Sequence, residues 1–217
     1  MTHRTWQLVL KALLALLLAG PLLWLVWQVA LEIQQPGSAL GADPGEVVVL
    51  HLGEWALRVL LVAFSISPLR KLAARSGWGR SIVAPALARS RRMTGLFAYT
   101  YLSLHLLAYT ALFLGFSLPQ LWEDLADRAY ITVGFAAFVI LSAMAFTSTR
   151  GWQRRLGKRW QQLHSLVAVA LGLALVHLWW LTRDGFGEVT LYTVWFGLLL
   201  ALRYWPSRRA SAHPAVA

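Results

Sequence analysis

The chain has 217 residues, is 58% hydrophobic and only 13% charged, about half the charge of a typical soluble domain, so it reads as an integral membrane protein. Its net charge of +11 sits in short loops between apolar runs, which points to membrane topology rather than a nucleic-acid face. The absence of cysteine excludes structural disulfides and every cofactor held through a thiolate.

Residues 1–11 are basic, with Arg4 and Lys11. The apolar run behind them predicts a first helix over 8–31, too long and without the small-residue cleavage site of a secretory signal. Pro21 inside it is tolerable in lipid and can kink it. Residues 32–45, EIQQPGSALGADPG, form a loop with Glu32 and Asp43 and no base. A second helix is predicted over 46–67, with His51 near its start, Glu54 and Arg58 deeper, and Pro68 ending it. Residues 69–92 form a basic loop with Arg70, Lys71, Arg75, Arg80, Arg89, Arg91 and Arg92 and no acid. A third helix over 93–116 contains His105. It is followed by an acidic loop with Glu123, Asp124 and Asp127 against Arg128. A fourth helix runs over 131–147. Another basic loop carries Arg150, Arg154, Arg155, Lys158 and Arg159. A fifth helix over 161–182 holds His164 and His177. The turn RDGFGE leads to a sixth helix over 189–205, and the polar tail 206–217 reads as disordered.

The loops alternate in sign, basic then acidic or nearly neutral. The positive-inside rule then places both termini in the cytoplasm with six spans. Each span must satisfy its own backbone in lipid, so the expected fold is an all-α six-helix bundle forming a single transmembrane domain over 1–217. Twelve tryptophans suit two interfacial belts, to which Trp179 and Trp180 belong.

Ionisable groups within apolar spans default to a functional hypothesis. The third and fifth helices are parallel, and counting from their starts puts His105 and His177 at similar depth, past the midplane towards the outer side. Such a pair can clamp a haem iron from both faces. His164 lies near the inner face, about 20 Å from His177 along an ideal helix. Its counterpart on the third helix, four turns before His105, is Arg91. An inner haem would therefore be held by His164 with a non-histidine sixth ligand, and Arg91 or Arg92 would pair with propionates. Thirteen residues rotate an ideal helix by about 140°, so His164 and His177 do not share a face: either the helix is distorted, with Gly172 as the candidate, or only one of them ligates haem. His51 reads as an interfacial polar contact, and His3 and His213 as solvated. Arg58 faces either a buried propionate or Glu54, four residues earlier in the favourable order for an ion pair. The cytoplasmic bases match anionic lipid, with a smaller share available to a flavin mononucleotide phosphate or an acidic partner. No GxGxxG after a strand and no P-loop is present. Two other classes stay open. A histidine-relay transporter would show matched broken helices in both halves. A three-histidine metal enzyme would need imidazoles that the spacing keeps apart.

The segments RRMTGLFAYTYLSLHLLAY, DRAYITVGFAAF and AFTSTRGWQRRLGKRWQQLHSLVAVALGLALVHLWW, with LGADP before the second helix and LLLALRYW at the end, resemble the haem-binding membrane subunits of the bacterial periplasmic methionine sulfoxide reductase system. The resemblance covers almost the whole chain. It implies a ferric reductase-like transmembrane domain in the bacterial inner membrane, carrying b-type haem and flavin mononucleotide. It implies electron transfer from a cytoplasmic flavin reductase or the quinone pool to a periplasmic molybdopterin catalytic subunit that repairs oxidised methionine. The family's haem histidines fall on His105, His164 and His177. Larger relatives have a second histidine on the third helix where this chain has Arg91.

Overall fold

A computed structural model of the chain describes residues 3–75, 83–183 and 185–205, except for the side chains of 3, 4, 7, 74, 75 and 83–89. The expected disordered tail with His213, the Arg80 region of the second loop, and the side chains of His3, Arg4, Arg75 and Arg89 lie outside the described residues. Among those described, the chain forms α1 (His3–Gln34), α2 (Pro44–Arg75), α3 (Val83–Leu112), α4 (Leu118–Asp127), α5 (Ala129–Phe146), α6 (Arg150–Leu156), α7 (Lys158–Ser165), α8 (Val167–Leu181) and α9 (Gly187–Tyr204), with no strand. Four stretches are long and apolar enough to cross a membrane: Leu8–Gln34, Pro44–Ala73, Ala129–Phe146 and Lys158–Leu181. The protein is thus an all-helical multi-pass membrane protein. α3 is diluted by Thr100, Ser103, His105 and Thr110, and α9 by Glu188 and Arg203.

Several predicted boundaries are corrected. α2 begins at Pro44, because the Asp43 Oδ1 accepts from the Glu46 backbone N–H at 2.9 Å and proline suits the first helical position. It also passes through Pro68 instead of ending there. Proline removes one backbone bond, and the following LRKLAAR favours helix. The extension carries the Lys71 ammonium to the Arg203 carbonyl at 2.7 Å, a cation on the C-terminal turn of α9. α3 starts at Val83, inside the predicted basic loop. Its PALARSRR is rich in helix formers, and basic charge does not oppose helix once the chain leaves hydrocarbon. α3 stops at Leu112 because Gly115 and Phe116 turn with φ of 53° and 61°.

The predicted acidic loop contains α4. Ser117 caps it by accepting from the Gln120 N–H, and Leu118, Leu121, Trp122 and Leu125 fall on one face at helical spacing. Within the predicted second basic loop, Thr149 caps α6 and Gly157, at φ 52°, separates it from α7.

The predicted fifth helix is broken at Leu166, not near Gly172. The Ser165 hydroxyl donates to the Gln162 carbonyl at 2.6 Å. The Leu166 N–H, whose regular acceptor that carbonyl is, bonds the Leu163 carbonyl at 3.1 Å instead. A side chain competing for a backbone acceptor tightens one turn and separates α7 from α8.

Two antiparallel pairs, α2 with α3 and α5 with α8, form the centre and meet through α3 and α5. α2 supplies much of the core, including Leu61 and Phe64, and α8 supplies Ala170 and Leu171. α1 leans on this unit. Its Pro21 has no N–H to give to the ladder. The buried Tyr101 hydroxyl accepts from the Leu22 N–H at 3.0 Å and donates to the Leu18 carbonyl at 2.8 Å. An inserted side chain is a recognised cause of a helix kink. His51 contacts the Pro21 carbonyl through Nε2 at 3.1 Å and stacks on Trp24, so its polar contact is with α1.

Candidate functional site

The end of the bundle that carries Asp43, Glu46 and Tyr109 encloses a cavity of about 480 Å³, called the outer cavity after the expected topology, in the range of cofactor sites. Its walls are mostly apolar, and His105 from α3 and His177 from α8 face one another across it. Their ring centroids are 6.5 Å apart and their planes meet at 80°. Each ring is tied to a neighbouring helix. His105 Nδ1 lies 2.9 Å from the Val49 carbonyl of α2. His177 Nδ1 lies 2.7 Å from the Tyr130 carbonyl of α5. A carbonyl only accepts, so both bonds require Nδ1–H, which puts the lone pair of each neutral imidazole on Nε2.

That arrangement suits an iron held between two imidazoles. Two metal–nitrogen bonds of about 2 Å, each extended by half a five-membered ring, place trans ring centroids roughly 6 Å apart. The observed spacing fits, as does the donor set: a neutral imidazole whose other nitrogen donates to a carbonyl is the usual metal-ligating form. Gly53 and Gly134 stand directly against the two rings and line the same cavity.

The opposite end of the bundle holds a second cavity of about 440 Å³, called the inner cavity after the expected topology and lined by His164, Arg91, Arg92, Trp160, Gln161 and Arg203 among others. Leu60 and Leu141 line both cavities and so form the partition. His164 stacks on Trp160 with centroids 4.0 Å apart, and its Nδ1 lies 3.1 Å from the Trp160 carbonyl. The structure therefore brings His164, Arg91 and Arg92 together, apart from the His105–His177 pair. Arg203, which the sequence reading did not single out, lines this cavity as well. Its Nη1 is buried without a hydrogen-bond partner, and Arg91 lies within electrostatic reach of it and of Arg70. Three guanidinium groups with one orphaned donor make a cavity suited to an anion.

Arg58 lines neither cavity. Its Nη2 meets Glu54 at 2.9 Å and Glu188 at 3.3 Å, and its Nε donates to the Tyr192 hydroxyl at 2.7 Å. Of its two readings, the ion pair with Glu54 is the one formed, and it ties α2 to α9. At the mouth of the outer cavity, the Tyr109 hydroxyl donates to Asp124, pinning α4 to α3. Trp179 and Trp180 are exposed, and the Trp179 indole donates to Thr193 Oγ1 at 2.9 Å.

Fold and cavity together define a helical membrane protein that holds two half-buried, backbone-tethered imidazoles on opposite sides of one cavity. Residues 52–175, which include His105, His164 and most of the lining of both cavities, match the family model described as "Ferric reductase like transmembrane component". Over 198 residues the chain is 42% identical to the "Protein-methionine-sulfoxide reductase heme-binding subunit MsrQ" of Xanthomonas campestris pv. campestris (strain 8004), covering 91% of this chain and 86% of that protein. The protein of the same name from Xanthomonas axonopodis pv. citri (strain 306) is 40% identical over 212 residues, 94% of this chain and 90% of its own length. That from Polaromonas naphthalenivorans (strain CJ2) is 41% identical over 185 residues, 82% and 80%. The chain belongs to the MsrQ family of ferric reductase-like transmembrane proteins.

Proposed function

We propose that this chain is a haem b-binding electron-transfer subunit of the bacterial inner membrane. In this reading it passes electrons to a periplasmic molybdopterin-containing methionine sulfoxide reductase. The observation that carries the reading is the pair of rings 6.5 Å apart, each with Nδ1 on a carbonyl of a different helix. The names of the relatives agree with it, since each is called a heme-binding subunit of a protein-methionine-sulfoxide reductase.

His105 and His177 hold the outer haem through Nε2. Haem iron, when bound, supplies reversible one-electron chemistry. The chain's own residues do the rest. Val49 and Tyr130 fix ring tautomer and direction through their carbonyls, and the apolar walls keep water from the metal. The inner cavity takes an anionic group: either a second haem, held by His164 with its propionates on Arg91, Arg92 and Arg203, or the phosphate of flavin mononucleotide. Electrons enter from that side, from a cytoplasmic flavin reductase or a quinone. The protein breaks no substrate bond in this scheme.

The reading extends to topology. α3 and α9 complete six spans with both termini cytoplasmic, because every described acid lies towards the end of the bundle opposite Arg91, Arg154 and Arg203.

Purified protein decides the matter. The expected result is a reduced spectrum with the sharp bands of low-spin b haem. His105→Ala and His177→Ala are each expected to remove the same haem, counted as haem per protein. Full haem content in either variant would sink the pairing, and a colourless wild type would sink the function.

A further inference from the structure

We infer that Gly53 and Gly134 are the positioning residues of the two outer histidines, through one device built twice. The inference rests on the haem reading above and goes beyond it to what orients and tunes the ligands.

The geometry repeats. His105 reaches the Val49 carbonyl and packs on Gly53, four residues further along α2. His177 reaches the Tyr130 carbonyl and packs on Gly134, four residues further along α5. In an α-helix the carbonyl of residue i points at the N–H of residue i+4. The Cβ of residue i+4 leans back towards the N-terminus and so towards that carbonyl. A side-on donor to carbonyl i must therefore pass through the space where the i+4 side chain begins, and only glycine leaves it open. The distances agree. A Cβ at Gly53 would stand 2.9 Å from His105 Nδ1 and 3.0 Å from its Cε1. A Cβ at Gly134 would stand 2.8 Å from His177 Nδ1 and 3.1 Å from Cε1 and Cγ. The two helix pairs share no sequence pattern beyond this carbonyl-x-x-x-glycine spacing, with the same atom of each imidazole as guest.

The consequence concerns the metal. A ring tethered at Nδ1 and bound at Nε2 cannot retreat from a new Cβ without lengthening the Nδ1–H bond or turning its plane. A stronger Nδ1–H bond raises the basicity of the ligating nitrogen, which favours the ferric state and lowers the potential. The 80° between the ring planes is set by the same two tethers. Near-perpendicular imidazoles make ferric low-spin haem strongly anisotropic in electron paramagnetic resonance.

The test uses full-length holoprotein as wild type, Gly53→Ala, Gly134→Ala and a control, Gly172→Ala. Gly172 lies on α8, where an added Cβ meets only ordinary contact, 3.9 Å from Phe196. Helicity and chromatographic behaviour check the fold. The expected result for the first two variants is a raised midpoint potential, a shifted largest g value and haem affinity lower by about 10- to 100-fold, with the control unchanged. Wild-type values in both variants would overturn the inference, as would an equal shift in the control. If neither variant accumulates, the wild type still decides through the quadrupole coupling of the remote imidazole nitrogens. Strongly hydrogen-bonded Nδ1–H on both ligands supports the clamp, and a free Nδ1–H on either overturns it. Failure of the function itself reads differently, as a wild type without low-spin haem.

Discussion

At Tyr101 one hydroxyl serves both ends of one backbone connection of α1, accepting from the Leu22 N–H and donating to the Leu18 carbonyl. In hydrocarbon, neither group finds water when this hydroxyl is lost. Tyr101→Phe keeps the ring and its volume, so its cost isolates the hydrogen bonds. The expected loss of stability is roughly 1–3 kcal/mol, the penalty for unsatisfied buried groups. Reversible unfolding in mixed micelles measures it, and wild-type stability in the variant would show that α1 closes its own ladder there. The same residue scale explains why sequence reading singled out the histidines but not Gly53 or Gly134. A histidine in an apolar run is conspicuous by itself. A glycine there acquires meaning only from the ring it faces, and those rings lie 52 and 43 positions away in the chain.

At the scale of elements, the break at Leu166 decides how one length of chain presents His177 to the outer cavity and His164 to the inner one. A regular helix would turn these residues about 140° apart. The Ser165 hydroxyl on the Gln162 carbonyl displaces the regular bond and resets the direction of α7 relative to α8. Ser165→Ala returns that carbonyl to the Leu166 N–H. The expected outcome is changed occupancy or potential of the inner-cavity group, with the outer haem unaltered. Redox titration followed optically separates the two. An unchanged titration would mean that packing against Trp160, not the serine, sets the break. α4 is a second lesson of this scale. Its acids made it read as loop, yet Ser117, Pro119 and a Leu–Trp stripe define a short interfacial helix.

For the whole molecule, charge divides the bundle into a basic end and an acidic end, with a cavity towards each, and the proposed topology puts the basic end inside. The absence of cysteine makes topology directly measurable, because any introduced thiol is the only one. Ser38→Cys and Glu123→Cys are expected to react with an impermeant maleimide on intact spheroplasts, and Arg154→Cys only after permeabilisation. Glu123→Cys protected until permeabilisation would remove α3 from the spans. Arg154→Cys reactive from outside would invert the orientation.

Composition, loop charge and the spacing of apolar runs were enough to establish a helical membrane protein and the common depth of His105 and His177. Those properties follow from transfer into lipid and from rise per residue, both local to the chain. Tertiary structure alone decided that the two rings meet at 6.5 Å, that Glu188 and Tyr192 of α9 join the Arg58–Glu54 pair, and that Arg203 enters the inner cavity. The angular setting of a helix about its own axis governs all three. It is chosen by packing between segments distant in sequence, through carbonyls and missing side chains that no local pattern records.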